Sequence, residues 1–67
     1  MPLVVFQVVP SLNRWAVIHK GLALATFSTR MEAETAALAI ARRHAPKTVA
    51  EVDVISDGRL LNEIRVF

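Results

Sequence analysis

The 67-residue chain has no cysteine, two isolated glycines and no run of like charge. Without cysteine there is no thiolate nucleophile, no thiolate metal site and no disulfide, a composition compatible with a reducing compartment. Gly21 and Gly58 stand alone, so the glycine-rich loop that cradles phosphates is missing. The opening Met1-Pro2-Leu3-Val4-Val5-Phe6-Gln7-Val8-Val9-Pro10 lacks a basic start and is interrupted by Gln7. It also falls short of the ~20 apolar residues that span a bilayer, so neither a signal peptide nor a membrane anchor is expected, and a cytoplasmic location is. No internal repeat, low-complexity tract or linker divides the chain, which therefore reads as a single domain over 1–67.

What is present is apolar. Hydrophobic residues make up 54% of the chain and the mean hydropathy is positive. A domain this small buries only roughly 60% of the surface its unfolded chain exposes, so some apolar surface is expected to meet a partner. The net charge of +2, eight Lys and Arg against six Asp and Glu, is mildly basic and is no nucleic-acid signature by itself.

The stretch from Thr29 to Ala45 is the one segment long and regular enough for a helix. Thr29 and Glu32 have the spacing of a capping box, Glu32 and Glu34 put acid near the start, and Arg42 and Arg43 put base near the end, as the helix dipole favours. Pro46 then forbids continuation. Ala33, Ala37, Ile40, Ala41 and His44 recur at helical spacing and form the expected core face, small enough for close approach to a sheet. Leu38 lies about 200° around the helix from Ile40, with Met31 near it, which leaves a second apolar strip.

Strands are expected on either side of the helix. Leu3 to Val9 is almost continuously apolar and β-branched, which suits a strand covered on both faces. After turn chemistry at Ser11-Leu12-Asn13, Arg14 to Lys20 alternates Trp15, Val17 and His19 with Ala16 and Ile18, an antiparallel return. Leu22 to Phe27 reads as a short strand or an extended connection. Thr48 to Ser56 alternates Val52 and Val54 with Glu51 and Asp53, Asp57-Gly58 supplies a type I′ turn, and Arg59 to Phe67 returns. The expected fold class is α+β, an antiparallel β-sheet with a single helix across one face in the order β-β-α-β-β.

Val8-Val9-Pro10, Trp15-Ala16-Val17, Gly21, Thr29-Arg30-Met31-Glu32-Ala33 and Asp57-Gly58 together form a pattern. In these elements the chain resembles the small bacterial proteins grouped as domain of unknown function family 2188, and it departs from them at Leu38, where they carry a polar or charged residue. The resemblance implies a β-β-α-β-β fold and a bacterial source. It brings no activity and no catalytic residue.

No constellation of residues carries chemistry. His19 and His44 have no Cys, His or carboxylate at metal-binding spacing, so neither a metal nor a cofactor is expected. His44 is expected to close the core face of the helix, and His19 to lie at the sheet edge. Ser11, Ser28 and Ser56 sit where turns or caps account for them, and Glu51, Asp53 and Glu63 read as a solvated sheet face, so no enzyme is expected. The residues instead favour a protein-interaction module acting as a homodimer, with Val5, Met31 and Leu38 as candidate interface positions. Strand one is apolar on both faces, and one helix covers only one of them. The alternative is a nucleic-acid contact made by Arg14, Lys20, Arg42, Arg43 and Lys47, with Trp15 either stacking on bases or filling the core.

Overall fold

The computed structural model describes residues 3–45 and 47–66. Its elements in chain order are β1 (Leu3–Ser11), β2 (Arg14–His19), β3 (Leu22–Phe27), α1 (Arg30–His44), β4 (Val49–Ser56) and β5 (Arg59–Val66). The strands form one sheet in the order β3-β2-β1-β4-β5 with α1 packed across one face, an α+β architecture.

Two features differ from the sequence expectation. Leu22–Phe27 is a full strand, so the order is β-β-β-α-β-β, and the sheet is mixed. The pairs β1/β2, β2/β3 and β4/β5 are antiparallel, but β1 and β4 run parallel, from Leu3 opposite Val49 to Val8 opposite Val54. The helix accounts for this. It leaves β3 at one edge, crosses the sheet and returns the chain beside β1, and such a crossover sets its strands parallel where a tight turn would set them antiparallel. The most apolar strand thereby gains a neighbour on each side.

Residue alternation then assigns the faces. Val4, Phe6 and Val8 of β1 share the helix side with Val17 of β2 and Ala50, Val52 and Val54 of β4, and the fully buried core is built from these and the helix alanines Ala33, Ala37 and Ala41. Ile40 is half-buried as expected, while His44 is exposed, its ring centroid 5.5 Å from that of Phe6. The proposed second strip divides: Leu38 packs against the core, whereas Met31 is 75% exposed. A long helical side chain leans back over the preceding turn, which lets Leu38 reach the core from the helix flank. Trp15 packs on the core as well.

Local chemistry fixes the boundaries. β1 continues through Pro10 because its pairing with β4 stops at Val8, and the side to which Pro10 turns its nitrogen has no partner in need of a donor. Lys20-Gly21 and Asp57-Gly58 both have positive φ at both residues, as two-residue hairpin turns require. In each edge strand one residue is left unpaired: Leu24 where the β2/β3 register shifts, and Leu61 where the β4/β5 register shifts.

At the start of α1, Thr29 Oγ1 accepts the Glu32 backbone N–H at 3.2 Å and donates to Glu32 Oε1 at 3.0 Å. The cap thus forms where expected, with the Glu32 carboxylate held by the Thr29 hydroxyl. Glu34 pairs with Arg30 at 2.8 Å. Replacing Thr29 with Ala should lower stability by about 1 kcal/mol, since it strips an acceptor from an orphan helix N–H. Urea melts of Thr29→Ala and of a Ser28→Ala control measure it. Equal midpoints for the two would place the cap elsewhere.

Candidate functional site

The side of the sheet away from α1 is the largest feature without a covering element among the described residues. Its centre is Leu3, Val5, Gln7 and Val9 of β1, which share the face with Ala16 and Ile18 of β2, Glu51, Asp53 and Ile55 of β4, and Leu60, Glu63 and Arg65 of β5. Leu3 is 50% and Leu60 54% exposed, and Val5, Val9, Ile18 and Ile55 are half-buried. Of the three expected interface positions, Val5 lies here, Met31 stands on the far side of the molecule, and Leu38 is engaged by its own core.

A carboxylate cluster interrupts this apolar surface. Glu51 and Asp53 are two apart on β4, Glu63 sits opposite Asp53 on β5, and oxygens of all three lie within 4.8 Å of one another. Arg65, opposite Glu51, donates from Nε to Glu51 Oε1 at 3.1 Å and stands 4.0 Å from Glu63 Oε1. Of the three acids expected on a solvated face, only Glu63 is exposed: the Glu51 side chain is only 9% exposed, and Asp53 Oδ1 is buried without a hydrogen-bond partner. Glu51 lies on a strand flanked on both sides, and neighbouring side chains shield it. One guanidinium serves three carboxylates. Burial first, then a hydrogen bond with Glu51 and the charges of Glu51 and Glu63, push the Asp53 pKa up from 3.8 to about 6, against the pull of Arg65. Three carboxylates form a donor set of the kind hard divalent cations accept, but here Arg65 already engages Glu51.

Of the basic residues proposed for nucleic acid, Lys20, Arg42, Arg43 and Lys47 lie toward the end of the molecule where α1 finishes, and Arg14 lies apart. Arg14, at the start of β2, donates from Nε to Thr26 Oγ1 at 3.2 Å on the open face. Lys20 follows the other end of that strand, roughly 20 Å away at ~3.3 Å per residue. Lys20 lines a cleft with His44, near the last helical turn that carries Arg42 and Arg43, and Lys47 lies just beyond the helix. Arg14 is thus separated from the others, and Trp15, packed on the core, is no stacking platform. His19 also departs from expectation: β3, not β2, is the edge strand, and His19 shares the helix side with Trp15 and Val17, where its ring stacks on Phe6 at 4.8 Å and donates from Nδ1 to the Val5 carbonyl at 3.1 Å.

One sequence signal had more to give. The first acidic residue of the chain is Glu32, so β1 to β3 carry Arg14 and Lys20 in and beside their strands with no acid, whereas β4, β5 and their turn carry Glu51, Asp53, Asp57 and Glu63 against Arg59 and Arg65. The sheet is electrically divided about β1.

Comparison with protein-family models, with curated proteins and with solved structures finds no match for this chain. The resemblance to the bacterial family rests on the motif residues alone.

A raised carboxylate pKa makes the neutral form the one that folding favours. The contribution of neutral Asp53 is fully present below 3.8 and is lost as pH rises through about 6. Asp53→Asn, which cannot ionise and can donate to Glu51, should therefore be more stable than the parent at pH 7, by roughly 1 kcal/mol, with the gap closing below pH 4. Urea midpoints across that range measure it. A variant less stable at pH 7 would mean that the ionised carboxylate is the form the fold uses.

Proposed function

We propose that this chain is a non-catalytic protein-interaction module that pairs with a second copy of itself through the open sheet face, in the cytoplasm of a bacterium. The observation that carries the proposal is the central strand: β1 is apolar on both sides, and α1 covers only one. Apolar area removed from water contributes about 25 cal/mol per Å², enough for several half-exposed aliphatic side chains to outweigh the marginal stability of a small domain. A self-complementary patch is the simplest cover, since two-fold dimers are the commonest closed assembly.

The divided charge selects the orientation. A two-fold axis lying between the sheets and across the strands would set each strand over itself, stacking one carboxylate cluster on its copy. An axis along β1 sets β4 and β5 over the partner's β2 and β3, which contain no acid. The strands of the two sheets then run nearly aligned, as in packed sandwiches. The resemblance to a bacterial family and the lack of thiols accord with the proposed setting. No helix among the described residues is long and apolar enough to cross a membrane.

The parent chain should elute with dimer mass in light scattering at micromolar concentration, and Val5→Glu should be a monomer. A chain without native cysteine allows a positional check: Val9→Cys, on the proposed axis, should couple to its copy through a short bis-maleimide, while Met31→Cys, on the exposed side of α1, should not. A persistent monomer mass, or equal coupling at the two positions, would overturn the proposal.

A further inference from the structure

One row of residues stands at a single height across the open face. Strand pairing aligns Glu63 with Asp53, Asp53 with Gln7, Gln7 with Ile18 and Ile18 with Ala23. The row is acidic on β5 and β4 and apolar on β2 and β3. A two-fold axis along β1 keeps the height of every residue and exchanges the two sides, so it sets Asp53 over the partner's Ile18 and Glu63 over the partner's Ala23. Pairing in that orientation carries the carboxylate cluster out of water and against aliphatic side chains.

The cluster has too few counter-charges for such a place. With all groups ionised, Glu51, Asp53 and Glu63 stand against the one guanidinium of Arg65, which donates from Nε to Glu51 at 3.1 Å. Asp53 Oδ1 lacks a hydrogen-bond donor even in the single chain. Within that chain the charges acting on Asp53 are those of Glu51, Glu63 and Arg65, since β1 presents Val5, Gln7 and Val9 on this side and α1 lies on the other. From the partner, β3 brings no charge. Arg14 stands at the height of Ser11, ~13 Å further along the strands, and donates to Thr26. Lys20, in the turn that ends β2, is the partner cation nearest the height of the cluster. It offsets one surplus negative charge and leaves the other. A carboxylate held unpaired against apolar groups takes up a proton instead of remaining ionised. Asp53, already raised to about 6 by burial and by Glu51 and Glu63, is the member closest to doing so.

We infer that self-pairing through the open face is coupled to proton uptake by the Glu51, Asp53 and Glu63 cluster, so that acid closes the dimer and alkali opens it. The inference rests on the pairing proposed above. Its sign follows from the two states of Asp53. Below about 6 the free chain and the dimer both carry the proton and affinity is level, whereas above that value pairing has to take protons up and weakens as pH rises. Each dimer contains two clusters, so the limiting slope is about a hundredfold in affinity per pH unit.

Sedimentation equilibrium of the whole chain at about pH 5.5 and about pH 7.5 reads the coupling, at constant ionic strength and with EDTA present so that no divalent cation replaces the proton. The dissociation constant of the parent dimer should be at least about tenfold larger at the higher pH. Asp53→Asn cannot ionise, and should pair at the higher pH about as tightly as the parent does at the lower. It retains His19 and His44, so a slope due to the imidazoles would persist in it. Glu63→Gln, a change at an exposed position, removes one surplus charge and should also tighten pairing at the higher pH. Equal affinity of the parent at both pH values, pairing that tightens as pH rises, or the same slope in parent and Asp53→Asn would overturn the coupling while leaving the pairing in place. A monomer at both pH values would overturn both.

Discussion

A strand that is apolar on both sides has to be covered on both sides, and nearly everything in this molecule answers that demand on β1. Its edges are covered by β2 and β4, which forces the parallel pairing, and the parallel pairing in turn requires the long crossover through α1. One of its faces is covered by the helix, whose buried positions are all alanine, so that the axis sits close enough for Phe6, Val8 and Val52 to fill the space below. A helix with larger residues on that side would stand off, and the core would need bulk that a chain of this length does not carry.

Much of this was legible in the sequence because it is written in local chemistry. The Thr29 cap, the alanine face, the Asp57-Gly58 turn and the apolar β1 each depend on residues within a few positions of one another. The parallel pairing was not legible, since β1 and β4 meet only through two intervening strands and a helix, and no turn residue marks a contact of that range. β3 was ambiguous because Leu22–Phe27 lies on an edge, where alternation has only one neighbour to enforce it. Alternation with Trp15 and Val17 already put His19 on the core side, but its hydrogen bond to the Val5 carbonyl depends on β2 stopping short of the end of β1, a property of register that no spacing in the sequence expresses.

The carboxylates show how sheet position alters side-chain character. On an edge strand, Glu51 and Asp53 would extend into water. Placed on β4 between β1 and β5, one is buried against Arg65 and the other is left with a buried oxygen that no donor reaches. The same alternation of Val with acid that signals a half-solvated strand thus produces a strained charge cluster when both neighbouring strands are present. Its cost falls on the open face, where it also divides an otherwise apolar surface into unlike halves.

The unpaired residues in the two edge strands have a consequence for how copies of the molecule meet. A sheet whose outer rows of N–H and C=O groups are regular invites further strands and grows without limit, as fibrils do. Here Leu24 breaks the ladder of β3 and Leu61 that of β5, so each rim changes register partway along and offers no continuous template. Growth at the rims is thereby disfavoured at both edges of the sheet. The irregularities that look like defects in the hydrogen-bond pattern make the rims of a hydrophobic chain poor templates for further strands.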